Sequence, residues 1–201
     1  ATWATVKWSQ PGIYNARNAA MAATAAGLAL NPENPTVLAL GALAKFRGVK
    51  RRQEVLLSTA KLTVIEDFGH HPTALAETLQ SFRARFPGSK LTAVFEPRSN
   101  SARTKTFQAG FTRALALADE VYLGAVNRAD KLKAEDRFDT EAVVQHLETQ
   151  GVTARTAATN AALLELLTGD TWPAGAPRVV IFFTNGSFDG IIARYTAAVS
   201  S

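Results

Sequence analysis

Three short segments concentrate the side chains best suited to chemistry. Glu66-Asp67-Phe68-Gly69-His70-His71-Pro72 brings two of the three histidines and two carboxylates to the threshold of a helix. Adjacent imidazoles diverge from a turn, so one metal ion would need further ligands. The alternatives are helix capping or contact with an anion, because free N–H groups and the helix dipole favour negative charge there. Asp67 could accept hydrogen bonds from sugar hydroxyls or close the turn. Glu96-Pro97-Arg98-Ser99-Asn100-Ser101-Ala102-Arg103 carries two guanidiniums, each able to grip a carboxylate or phosphate with two parallel bonds, or to lie on the surface. Thr184-Asn185-Gly186-Ser187-Phe188-Asp189-Gly190 combines an amide, hydroxyls and two glycines that permit close backbone approach. A fourth feature is charge: Lys45, Arg47, Lys50, Arg51 and Arg52 form either an anion-attracting cluster or a solvated basic turn.

Other chemistries are missing from the 201 residues. There is no cysteine, hence no disulfide, zinc–thiolate site or thiol nucleophile. No G-x-S-x-G nucleophile elbow and no G-x-x-x-x-G-K-[ST] phosphate loop occurs. The 22 basic and 17 acidic side chains give a net charge of +5. They lack the aromatic interleaving of a single-strand nucleic-acid surface, so no nucleic-acid partner is expected. No apolar run reaches the roughly 18 residues of a membrane span. We expect no membrane association and a cytoplasmic location. The chain opens on Ala1, and its first dozen residues read as the tail of a strand pair, so we expect a part of a longer polypeptide.

Hydrophobic residues make up 47% of the chain and charged residues 19%, a composition that builds a core. Asn15–Leu30 reads as an Ala-rich helix capped by Asn15, and Pro35–Phe46 as a second helix with proline in its first turn. From Glu54 onward, β-type runs at 54–58, 62–66, 91–95, 120–123 and 179–183 alternate with amphipathic helices. These are 72–86, 104–118, 140–150, 158–167 and 190–199, with 127–139 as an exposed loop. The alternation predicts an α/β, Rossmann-like, mainly parallel sheet with helices on both faces. Ligands of open α/β sheets sit at the carboxyl ends of the strands, and that rule selects the three loops above.

In order and spacing these segments resemble the Mur ligase family, ATP-dependent enzymes that join amino acids or peptides in peptidoglycan assembly. The resemblance runs through Gly12-Ile13-Tyr14-Asn15-Ala16-Arg17-Asn18-Ala19, Phe46-Arg47-Gly48-Val49-Lys50-Arg51-Arg52-Gln53-Glu54, and the loops at 66–73, 96–100 and 184–188. Tyr14 stands where the family usually has His. EPRSN and TNGSFDG resemble the members that attach a recycled murein tripeptide, rather than those that add alanine. The resemblance implies that residues 1–48 are the helical end of a central ATP-binding domain, and that 49–201 are the carboxyl-terminal domain. It implies ATP and Mg²⁺ as cofactors, the metal's ligands lying mostly outside this chain. UDP-N-acetylmuramate and L-Ala-γ-D-Glu-meso-diaminopimelate are the implied substrates, joined through an acyl phosphate. Asn15 and Asn18 would contact adenine, Arg52 a nucleotide phosphate and Asp67 the ribose. His70 and Arg98 would be catalytic, while His71, Asn100, Asn185, Gly186 and Ser187 would face the peptide. This chain alone is expected to be inactive. Two alternatives stay open: another Mur-type ligase such as the alanine-adding one, or a non-catalytic nucleotide-binding module.

Overall fold

The computed structural model describes residues 2–200, and the chain falls into two compact units, Ala1–Val49 and Lys50–Ser201. The first contains helix α1 (Ile13–Leu30), a 3₁₀ turn (Pro35–Val37) and the short helix α2 (Gly41–Ala44). Residues 2–12 form no strand, contrary to the strand-pair reading. Gly12, not Asn15, precedes α1, and Asn15 sits within the first turn, its Nδ2 donating to Pro11 O at 2.6 Å. The second expected helix is broken after one turn. Leu38 is extended, with ψ 124°, and its carbonyl accepts the Trp3 indole N–H at 3.2 Å instead of a helical amide. β-Branched Thr36 and Val37, followed by Gly41, give little propensity to oppose that break. Only Ala23 and Gly27 of α1 are buried.

The second unit is a six-stranded sheet in the order β1-β2-β6-β3-β4-β5. Its strands are β1 (Glu54–Ser58), β2 (Leu62–Asp67), β3 (Lys90–Phe95), β4 (Glu120–Leu123), β5 (Thr153–Thr156) and β6 (Arg178–Phe183). β1 runs antiparallel to β2 through a tight turn, and all other pairings are parallel. The parallel strands β2, β3 and β6 are apolar and buried on both faces, as a covered sheet demands.

Helices α3 (Pro72–Arg85), α4 (Gln108–Leu115) and α5 (Thr140–Thr149) cover one face through Leu75, Leu79, Phe82, Phe111, Leu115, Val143 and Leu147. Helices α6 (Asn160–Thr171) and α7 (Ile191–Ala198) cover the other through Leu163, Leu167, Ile191 and Tyr195. The start of α5 is fixed by Asp139, which accepts the Ala142 amide, and that of α6 by Thr159, which accepts the Ala162 amide. The α/β, mainly parallel reading is therefore correct.

Three details differ from the sequence reading. β5 was not foreseen, because Thr-Ala-Arg-Thr is a four-residue edge strand with one buried side chain, too short and polar to show a period. The 104–118 helix begins as a 3₁₀ turn at Lys105–Phe107, so Phe107 leaves the apolar face and packs edge-on against His71, centroids 5.2 Å apart. The 127–139 stretch holds two 3₁₀ turns and ends on Phe138, buried against Phe95 and Phe111.

Candidate functional site

β2, β6 and β3 lie side by side and parallel, so the loops that follow them emerge at one edge of the sheet. Backbone bonds lace the three strand ends together. Thr184 N donates to Asp67 O at 3.1 Å, and Glu96 N donates to Phe183 O at 3.0 Å. The 66–72, 96–103 and 184–190 segments thus meet where an open α/β sheet accepts its ligand.

Asp67 is buried and spends its carboxylate on the backbone. Oδ1 accepts the Gly69 amide at 2.7 Å and Oδ2 the Gln53 amide at 3.0 Å. Burial pushes its carboxyl above the ordinary value; the two amides and the Arg52 charge oppose that rise. In this conformation Asp67 clasps the 51–53 turn to the β2 loop and is not presented to solvent, which departs from the ribose role expected of it. Two guanidiniums lie over the Phe68 ring, Arg51 at 5.2 Å and Arg52 at 5.3 Å from its centroid. Arg52 is exposed, while Arg51 is partly buried.

His70 Nδ1 lies 3.0 Å from Phe68 O. A carbonyl only accepts, so Nδ1 carries the hydrogen, and in the neutral ring Nε2 presents a lone pair. His71 is exposed, takes the extended conformation preceding α3 and makes no side-chain cap, so the capping alternative is not realised. Pro72 follows at the first helical position, where its missing N–H costs nothing.

Glu96 is 1% exposed. It accepts the Thr184 hydroxyl and lies 3.3 Å from Nη1 of Arg98. Thr184 Oγ1 in turn accepts the Gly186 amide at 2.9 Å. Arg98 lies directly over Gly186, where a Cβ would fall 2.1 Å from the guanidinium Nε. Any side chain at 186 would therefore have to displace the Arg98 guanidinium from its present place. Asn185 Oδ1 is buried without a hydrogen-bond partner among the described residues, an acceptor whose bonding capacity is unmet. Asn100 and Ser187 are exposed on the same loops.

The structure thus gathers Arg52, Asp67, His70, Arg98, Asn185 and Gly186 at one edge. Asn15 and Asn18 belong to the first unit, where Asn18 is exposed on α1. Two residues were missed as individuals. In the sequence, Glu96 stands out only as an acid directly after an apolar strand. Arg51 was read only as one of a basic cluster. Among the described residues, no group of three His, Asp or Glu side chains could hold a metal ion. Among the described residues, no helix is long and apolar enough to cross a membrane.

Residues 51–173 match the family model of the Mur ligase, glutamate ligase domain. The UDP-N-acetylmuramate–L-alanine ligase of Cytophaga hutchinsonii is 38% identical over 134 residues, 66% of this chain and 28% of that protein. The enzyme of the same name from Bifidobacterium adolescentis is 40% identical over 127 residues, 63% of this chain and 23% of its own length. The chain therefore spans about a quarter of the length of the curated relatives it matches. Among solved structures, a murein peptide ligase from Psychrobacter arcticus superposes with a TM-score of 0.69 at 26% identity, over 98% of this chain and 39% of that one. The UDP-N-acetylmuramate-alanine ligase of Thermotoga maritima has the same fold, with a TM-score of 0.72 at 23% identity over 96% of this chain and 39% of its own. With the family model covering more than half of its residues, the chain belongs to the Mur ligase family through the glutamate ligase domain.

Proposed function

We propose that this chain is the carboxyl-terminal part of an ATP-dependent ligase that forms an amide on UDP-N-acetylmuramate, with a murein tripeptide as the amine. The observation that carries this reading is the convergence of Arg52, His70, Arg98 and Asn185 at the shared edge of β2, β6 and β3. Arg52 is an exposed guanidinium stacked on Phe68, suited to a nucleotide phosphate. Arg98 is placed to neutralise the oxygens of an acyl phosphate. The Nε2 lone pair of His70 can receive a proton from the attacking ammonium, leaving a neutral amine to displace phosphate. Asn185 Oδ1 accepts a hydrogen bond from that amine. The work of these residues is positioning and charge stabilisation. Magnesium, if bound, would supply positive charge against the phosphates; no group of three His, Asp or Glu side chains among the described residues would hold it, so no step here runs through it. The adenine role of Asn15 and Asn18 and the peptide contacts of His71, Asn100 and Ser187 belong to the same reading.

A second reading is favoured by the sequence relatives, whose names specify L-alanine as the amine. The EPRSN and TNGSFDG loops support the tripeptide. Phosphate release by the full-length polypeptide with ATP and UDP-N-acetylmuramate, offered the tripeptide or L-alanine, decides between them. Faster turnover with the tripeptide supports our reading, and faster turnover with alanine supports the second. No release with either leaves the non-catalytic nucleotide-binding module. Because this chain lacks a P-loop motif, we expect the 201-residue chain alone to give no turnover.

A further inference from the structure

Of the two neighbouring arginines, Arg51 is tied into the protein by its Nε and Nη2, while Arg52 is exposed. Arg51 Nε is 2.5 Å from Glu66 Oε1, and Nη2 donates to the carbonyls of Thr184, at 3.2 Å, and Gly186. Its main chain is equally committed. Arg51 N donates to Glu54 Oε2 at 2.7 Å, and its carbonyl accepts the Phe68 amide at 2.7 Å. Arg51 and Gln53 both hold positive φ, +60° and +51°, a conformation that L side chains adopt only when surrounding bonds enforce it.

The two carbonyls Arg51 holds belong to the turn against which the Arg98 side chain rests. Gly186 lies beneath the Arg98 guanidinium, Arg98 faces Glu96, Glu96 accepts Thr184, and Thr184 accepts the Gly186 amide. The ring of contacts closes on Arg51. One planar fork spans a carboxylate on β2 and two carbonyls beyond β6, a span no lysine ammonium can reproduce.

We infer that Arg51 is a positioning residue: it fixes the Thr184–Gly186 turn and thereby sets Arg98, while Arg52 alone of the pair reaches for the ligand. The consequence for catalysis rests on the ligase reading; the placement of Arg98 does not. The first test is therefore independent of turnover. In ¹H–¹⁵N spectra of the chain, Arg51→Lys should move the Asn185 and Gly186 amides and the Arg98 Nε–H, and Arg52→Lys should leave all three in place. Unmoved signals in Arg51→Lys, or equal movement in both variants, would overturn the inference.

Should Arg51→Lys fail to fold, the unaltered chain still decides. Slow solvent exchange of the Arg51 guanidinium protons beside fast exchange at Arg52 is expected, and equal rates would overturn it. In the full-length ligase, Arg51→Lys should lower kcat by roughly 100-fold, the scale set by small misplacements of reacting groups, with the KM for ATP unchanged. Arg52→Lys should raise the KM for ATP instead. Identical kinetic changes in both would contradict the division of labour. An inactive unaltered enzyme would sink the ligase reading while leaving the spectroscopic test standing.

Discussion

The sheet of the second unit has charged groups at both edges, and the two edges behave differently. At the amino-terminal edge, the first residues of β3, β4 and β6 form one cluster. Lys90 Nζ is 2.6 Å from Glu120 Oε1, Arg178 pairs with the same carboxylate, and Thr92 donates to it at 3.0 Å. Arg178 also donates to Thr92 at 2.8 Å, which leaves the cluster closed on itself. At the carboxyl-terminal edge Arg51, Arg52 and Arg98 face Glu66, Asp67 and Glu96, yet Arg52 is exposed, Arg98 is 31% exposed and Asn185 Oδ1 has no partner among the described residues. The presence of paired charges does not tell these edges apart. Unspent hydrogen-bonding capacity does, and it lies at the ends of the parallel strands where ligands of such sheets bind.

Breaking the closed edge should have the largest effect. Glu120→Ala leaves two cations facing each other in a partly desolvated site, and about 3–5 kcal/mol of stability should be lost in urea unfolding, with ADP binding unchanged. A loss below 1 kcal/mol would mean the cluster is solvated. Acid provides a second probe of the same edge. Burial raises the Glu120 pKa, but the bonds from Lys90, Arg178 and Thr92 outweigh it and hold the carboxyl below its ordinary 4.5. Its contribution is therefore present above pH 4.5 and lost as pH falls through the lower folded value. Asp67 has the opposite sign. Its raised pKa favours the fold below 3.8, and that contribution disappears as pH rises through the folded value. Unfolding curves of Glu120→Gln and the unaltered chain should accordingly converge below pH 4.5.

At the open edge the effects should fall on binding. Gly186→Ala pushes a methyl group into Arg98 and should weaken ADP or phosphate binding about tenfold, the loss of one charge-assisted hydrogen bond, as read by calorimetry. Arg52→Gln should give a similar loss of binding but the smallest change in stability, within about 0.5 kcal/mol, because its side chain is exposed. If Arg52→Gln instead destabilised the chain as much as Glu120→Ala, the contrast between the edges would be wrong.

The sequence displayed the sheet because β2, β3 and β6 are unbroken apolar runs, and the β1 and β4 bounds coincided with those read from residue types. It pointed to the three loops that meet at the candidate site because the C-terminal rule turns strand ends into candidate loops. Less legible was anything decided by long-range pairing. The break after Val37 depends on an indole 35 residues away, and β5 exists because β4 offers it an edge. The distinction between Arg51 and Arg52 is the sharpest case. Identical in type and adjacent in sequence, they are separated only by a backbone turn at positive φ that aims one at Glu66 and the β6 loop and the other at solvent.

The central claim is that the ligand edge is the one formed by the ends of β2, β6 and β3. Titrating the ¹⁵N-labelled 201-residue chain with ADP tests it most directly. We expect the largest shifts at Arg52, Phe68, His70, Asn185 and Gly186, with Lys90, Glu120 and Arg178 unmoved. Shifts concentrated at the latter three, or at the 125–140 segment, would contradict the account.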